Sequence, residues 1–479
     1  MALSIAQRFA LAASAALTLA ATPAPETLWY SIATADGTQI GHATTEVTPR
    51  PNGRETVDSH DILVRQPGHS PAHLVERTVT REEAGRIVSI HTRRRSGSRG
   101  GWTEMEARIA PGRAEVTRRH GEDRRTVTVA LPEGVRFDAG EGLIASWDPA
   151  ATPLLAFDNF NLDAMAVERV TIEAAPGAVR GANGHIEILR KRFDGSELRS
   201  IARLVVDREG NTLSSAQAMF GSAIHVQRTD RAAALRRPVP YEILTGAMVR
   251  SPFRIPGSAA RGRIRYRFAY RDNIAFALPQ TGEQRATSSS LDICNDCGPG
   301  LPTDAPYLDA ARRPTVWLQS DDPRLRAIAR PVASMAVSDS RKMELLVQRT
   351  RPYVERVDFT GHYSALETLS RRSGDCTEAA VLLAALGRAA GIPTRVAAGL
   401  VYSRADYHGV SNAFMPHAWV LAYVDGTWRS YDAAFEGFDS THFALTIGDG
   451  DSRSIAAANQ LAGLVEFQSM AEIRSRPAR

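Results

Sequence analysis

The chain has 479 residues, 43% of them apolar and 23% charged, with a formal net charge of +5. Such a length holds about two to four domains with sizeable cores, and so mild a charge excludes a strongly basic nucleic-acid binder. The basic residues are almost all arginine, and the clusters Arg93-Arg94-Arg95 and Arg118-Arg119 fall in alternating, strand-like stretches, where they read as solvated faces.

Residues 1–21 carry a short basic start, a small apolar run and a cleavage-like Thr18-Leu19-Ala20, the pattern of a removable export leader. No cysteine follows at a lipoprotein position, and no later stretch approaches the ~20 apolar residues of a membrane-spanning helix. From 26 to 235 short alternating segments are separated by turn signals such as Asp36-Gly37, Asn52-Gly53, Asp194-Gly195 and Glu209-Gly210, which predicts an antiparallel β-rich module, a sandwich or a half-open barrel. Residues 236–314 read as linking strands and a loop-rich connection. Within it, Cys294 and Cys297 form a Cys-x-x-Cys pair followed by Gly298-Pro299-Gly300, which stops the helix a thioredoxin-like motif needs. No second Cys-x-x-Cys or paired histidine completes a zinc site, so the expected state in an oxidising compartment is a local disulfide.

After 314 the pattern turns helical over 322–333, 339–354 and 364–371, ahead of Gly374-Asp375-Cys376-Thr377-Glu378. Asp375 with Glu378 three residues on is a capping box, which makes Asp375 the N-cap and Cys376 the first helical residue. The apolar run 379–390 carries the helix inward, and Gly391 with Pro393 ends it. A thiol at a helix start feels unpaired N–H groups and the positive end of the dipole, which predicts a stabilised thiolate nucleophile. Downstream, 416–424 and 428–432 flank Asp425-Gly426, a two-residue hairpin turn whose register sets Asp432 opposite Trp419 and diagonal to His417. Diagonal Cβ atoms lie about 7 Å apart, within reach of a His–carboxylate hydrogen bond. Together these residues predict a Cys376–His417–Asp432 triad.

The ordered set Gly374-Asp375-Cys376, then Ala389-Ala390-Gly391-Ile392-Pro393-Thr394-Arg395 with Gly399, then His417-Ala418-Trp419, then Trp428 and Asp432, resembles the core of the transglutaminase-like family. Ser320-Asp321-Asp322-Pro323 and Asp439-Ser440-Thr441-His442 resemble flanks of its bacterial secreted members. The resemblance covers roughly 315–450 and places the family's catalytic Cys, His and Asp on Cys376, His417 and Asp432. Asp432-Ala433 departs from the Asp-Pro of many relatives. No tryptophan stands between Trp317 and Cys376 to serve as oxyanion donor, which leaves Tyr363 or the Cys376 N–H.

The fold expected is α+β: the β-rich module, then a transglutaminase-like, papain-like catalytic domain at 315–450 and a C-terminal extension at 451–479. The activity implied is that of a periplasmic or secreted cysteine-dependent acyl-transfer enzyme, a peptidase or amidase working through a thioester on a protein or peptide substrate. An envelope polymer is a further partner, and no cofactor, metal, nucleic acid or transmembrane segment is expected. Two alternatives stay open: a protein-glutamine crosslinking transglutaminase, and a non-catalytic envelope-binding protein whose catalytic domain is degenerate.

Overall fold

The computed structural model describes residues 25–65, 70–96, 101–121, 123–138, 140–219, 222–242, 246–357, 362–406 and 409–473; the expected leader lies outside them. The chain divides into two compact units, Ala2–Ile243 and Leu244–Arg479. Among the described residues no helix is long and apolar enough to cross a membrane.

The first unit is one 15-stranded sheet, antiparallel except where Tyr241–Glu242 pairs parallel with Val64 and Arg65. Successive hairpins run from the edge strand Asp123–Ala130 back to Glu26–Thr34, which pairs with Ser222–Thr229, and on to the other edge strand Leu154–Asn161. Period-2 alternation drives this: Tyr30 and Ile32, like Ile186 and Ile188, point to the buried side while their sequence neighbours point away. The segment after Ala130 crosses to the far edge, where Arg136 bridges Asn159. Leu131 thereby packs with Ile90, Met105, Ala107, Val116 and Phe160 in one apolar cluster. The coarse expectation of an N-terminal antiparallel β module followed by an α/β region describes the molecule.

In the second unit a five-stranded sheet contains Ala413–Val424 at its centre, flanked by Thr394–Ser403 and Thr427–Tyr431. His442–Gly448 pairs on the far side of Thr394–Ser403. A separate four-stranded sheet brings together Ile264–Tyr270, Ser290–Ile293, Gln284–Ala286 and the C-terminal Val465–Glu472. Residues of the expected linking segment and of the expected C-terminal extension therefore hydrogen-bond to each other.

The helix Cys376–Ala389 runs through the middle, with every residue from Thr377 to Arg388 buried. A helix apolar nearly all round needs neighbours on all sides. It has them in the helices Pro323–Ala333, Asp339–Thr350 and Ala365–Arg371 and in the two central strands. At its end the buried Arg388 side chain donates to Thr394 O (2.8 Å), Arg313 O (2.5 Å) and Asp449 Oδ1 (2.6 Å), tying the helix to three segments.

Candidate functional site

The start of the central helix forms as its sequence dictates. Asp375 Oδ1 accepts from Thr377 N at 2.7 Å, and Glu378 Oε2 accepts from Asp375 N at 2.9 Å. Glu378 Oε1 also takes the N–H of Tyr363 at 3.0 Å, so one buried carboxylate fastens the incoming segment to the helix. Gly374 is required at this point, because a Cβ there would stand 2.4 Å from Glu378 Cβ.

The hairpin likewise has the register its turn implies. Asp425 (φ 51°) and Gly426 (φ 86°) occupy the left-handed region that a tight two-residue turn demands, and Val424 pairs with Thr427 through to Val420 with Tyr431. Asp432, the next residue, meets His417: Nε2 to Oδ2 is 2.8 Å. Asp432 Oδ1 accepts the N–H groups of Ala434 (2.8 Å) and Phe435 (3.2 Å), an Asx-type turn.

A third partner is His442, which the sequence shows only as part of a flank. His442 Nε2 lies 3.2 Å from the same Asp432 Oδ2, and its Nδ1 lies 3.1 Å from Asp439 Oδ1. Side-chain exposure is 2% for His417, 1% for Asp432 and 2% for His442, so this is a buried network. Phe435 lies against His417, with ring centroids 4.7 Å apart.

Burial opposes ionisation of Asp432, yet His417 and His442 more than offset it and hold the carboxyl well below its ordinary range. Burial likewise opposes the charge on His442, but hydrogen bonds to Asp432 and Asp439 outweigh it and push the imidazole up to about 9. Both ring nitrogens of His442 thus face carboxylate oxygens, which favours its charged form. Among the described residues, the convergent group of His, Cys, Asp and Glu ligand atoms is His417, Asp432 and His442, all within 4.8 Å of one another. Two imidazoles and a carboxylate are a donor set of the kind zinc takes, although the spacings here are those of hydrogen bonds.

Cys376 is not one of those ligand residues. It is a free thiol on a half-buried residue, and its sulfur accepts the N–H of Ala418, the residue after His417. Although the residue keeps some solvent contact, its surroundings are dense: burial pushes the thiol well above its ordinary value, and the carboxylates of Asp375, Asp432 and Glu378 push the same way. Tyr363, the expected oxyanion donor, is buried, with the Arg371 guanidinium carbon 4.0 Å from its ring centroid. Cys294 and Cys297 are joined in a disulfide, with Cα atoms 5.7 Å apart.

Comparison with known proteins gives a limited likeness. Residues 326–433 match the Transglutaminase-like superfamily. No curated protein matches the chain. A beta-barrel-like protein of the DUF1849 domain from Brucella abortus is 14% identical and covers 43% of this chain and 96% of its own, at a TM-score of 0.35. A candidate cysteine protease from Cytophaga hutchinsonii is 17% identical, covering 46% and 88% at a TM-score of 0.27. The periplasmic domain of TgpA from Pseudomonas aeruginosa, bound to ethylmercury, is 16% identical, covering 56% and 71% at a TM-score of 0.25. Similarity this low carries no weight for function.

These findings correct the expected chemistry. The sequence reading was a secreted transglutaminase-like enzyme with a papain-like Cys-His-Asp core, a cysteine protease, hydrolase or acyltransferase. The cluster that forms is His417–Asp432–His442 without the sulfur, and the other two cysteines are spent in a disulfide. The error lay in weighing the helix dipole too heavily. A dipole contributes about 0.3–1 kcal/mol, less than one pKa unit, whereas burial shifts a thiol by up to ~3–5 units. Asp375 and Asp432 add to burial in the same direction, so the surroundings of the sulfur disfavour the thiolate that the expected thioester route needs.

Proposed function

We propose that the chain is a non-catalytic binding protein of the cell envelope, in which the β-sheet unit holds the ligand and the transglutaminase-like region is a degenerate scaffold. The observation that supports this most directly is that His417 and His442 both close on Asp432 in a buried network while burial pushes the Cys376 thiol above its ordinary value. In this reading Asp432 is a structural anchor. It accepts from two imidazoles and two backbone N–H groups and thereby locks the hairpin to the strand His442–Gly448. Cys376 fills the helix start, and Tyr363 packs beneath Arg371. Export to the periplasm or beyond rests on the leader-like residues 1–21.

The test is intact-mass measurement of the wild-type protein and of Cys376→Ala after incubation with an envelope extract. The expected result is an unmodified mass in both, with identical ligand retention. An acyl adduct on wild type that disappears in Cys376→Ala overturns the proposal.

A further inference from the structure

The sheet unit contains a cavity of about 900 Å³, at the upper end of the ~300–1,000 Å³ range of small-molecule sites. The apolar part of its lining is Ile87, Ile109, Leu131, Val135 and Phe137. Leu131, Val135 and Phe137 come from the segment that crosses between the sheet edges, so the cavity is bounded by strands on one side and by that strap on the other.

Among the strand residues that line the cavity is a polar group without a partner. Thr80 is 9% exposed and lines the cavity, and its hydroxyl has no hydrogen-bond partner. Its neighbours on the same face are satisfied: Thr78 and Thr92 hydroxyls pair at 2.8 Å, and Thr45 donates to Asp58 at 2.7 Å. A buried unpaired hydroxyl is costly, and a ligand atom that bonds it removes the cost. The exposed Arg86 and Glu133, also in the lining, offer charges of both signs.

We infer that this cavity binds a single-chain amphiphile, its hydrocarbon chain against Ile109 and Phe137, a hydrogen-bonding group near its head at Thr80, and its charged head between Arg86 and Glu133. The inference rests on the reading of the sheet unit as the ligand-binding part. The other charged residues of the lining are already paired, Arg54 with Glu82, Arg136 with Asp138 and Asp58 with Thr45, which leaves the apolar side chains and the Thr80 hydroxyl to meet a single acyl chain. A fatty acid and a lysophospholipid share this chemistry.

Calorimetric titration of the full chain with dodecanoate, tetradecanoate and tetradecanoyl lysophosphatidylcholine, each below its micelle concentration, tests it. One saturable site is expected, with tetradecanoate about 15-fold tighter than dodecanoate, since each methylene contributes about fourfold. The tighter of the two tetradecanoyl ligands names the source. Thr80→Val should weaken binding by about 2- to 10-fold, and Val135→Trp, which fills the pocket, should abolish it. If Val135→Trp does not fold, a diazirine-bearing tetradecanoate on wild type decides by the peptides it labels, expected within 80–88, 103–110 and 131–138. No saturation in folded wild type, undiminished binding in folded Val135→Trp, or labels confined to other segments overturns the inference. None of these readouts depends on Cys376, so this failure is distinct from discovery of thiol turnover.

Discussion

Replacing His442 by glutamine should remove a defined part of the pH dependence of folding. The imidazole is raised from 6.5 to about 9, with burial opposing the charge and the hydrogen bonds to Asp432 and Asp439 more than offsetting it. A group whose folded pKa lies above its unfolded one contributes its full stabilisation below the unfolded value and loses it as pH rises through the folded value. The relevant window is therefore 6.5 to about 9. At about 1.4 kcal/mol per pKa unit, the contribution present at pH 6 and absent at pH 10 is about 3 kcal/mol. Glutamine can still donate to Asp432 Oδ2 but does not titrate. Urea unfolding of both proteins at pH 6 and pH 10 gives the comparison, and the wild type should lose about 3 kcal/mol more than the variant over that interval. Equal pH dependence in the two proteins, or an NMR titration midpoint for His442 near 6.5, would refute the raised imidazole.

Asp432 gives the opposite sign: its carboxyl is held low, so the stability it contributes is present above its unfolded value and lost as pH falls toward the folded one, steepening acid unfolding in wild type relative to Asp432→Asn. Arg388→Met should destabilise the second unit by about 1–3 kcal/mol, read from its urea midpoint, because the carbonyls of Thr394 and Arg313 lose a buried donor while Asp449 keeps Arg395. A chain truncated to begin at 315 loses Ile264–Tyr270, the strand that pairs with Val465–Glu472, and should be insoluble or aggregated; a chain beginning at 244 should give a dispersed NMR spectrum.

Local chemistry was legible in the sequence wherever a few adjacent residues decide it. Asp425-Gly426 fixes the hairpin register, since both residues must take positive φ, and register fixes which side chains share a face. Asp375 and Glu378 close their capping box with partners one helical turn apart. The Cys294–Cys297 pairing follows from the same proximity. What escaped depends on sheet order. His442 begins a strand that pairs with Thr394–Ser403 rather than with the hairpin, so nothing local announces that it converges on Asp432. Its signal was a histidine amid Asp439-Ser440-Thr441, legible as a flank but not as a partner. The state of Cys376 escaped for a related reason. Its ionisation is a balance among burial, three carboxylates and one N–H from another strand, and only the folded chain sets those distances. In the sheet unit, alternation revealed strands, but the pairing of Glu26–Thr34 with Ser222–Thr229 spans nearly the whole unit.

The pH–rate profile for alkylation of Cys376 in the native protein tests the central claim most directly. Iodoacetamide under non-reducing conditions, with adducts located by peptide mass, leaves the Cys294–Cys297 disulfide untouched and reads one thiol. If burial and the surrounding carboxylates keep the sulfur protonated, labelling at pH 7 will be slower than for a free thiol of pKa ≈ 8.5, and the rate will still be climbing above pH 9. A profile already on its plateau at pH 6, shifted upward by His417→Ala, would mean an activated thiolate and would contradict the account.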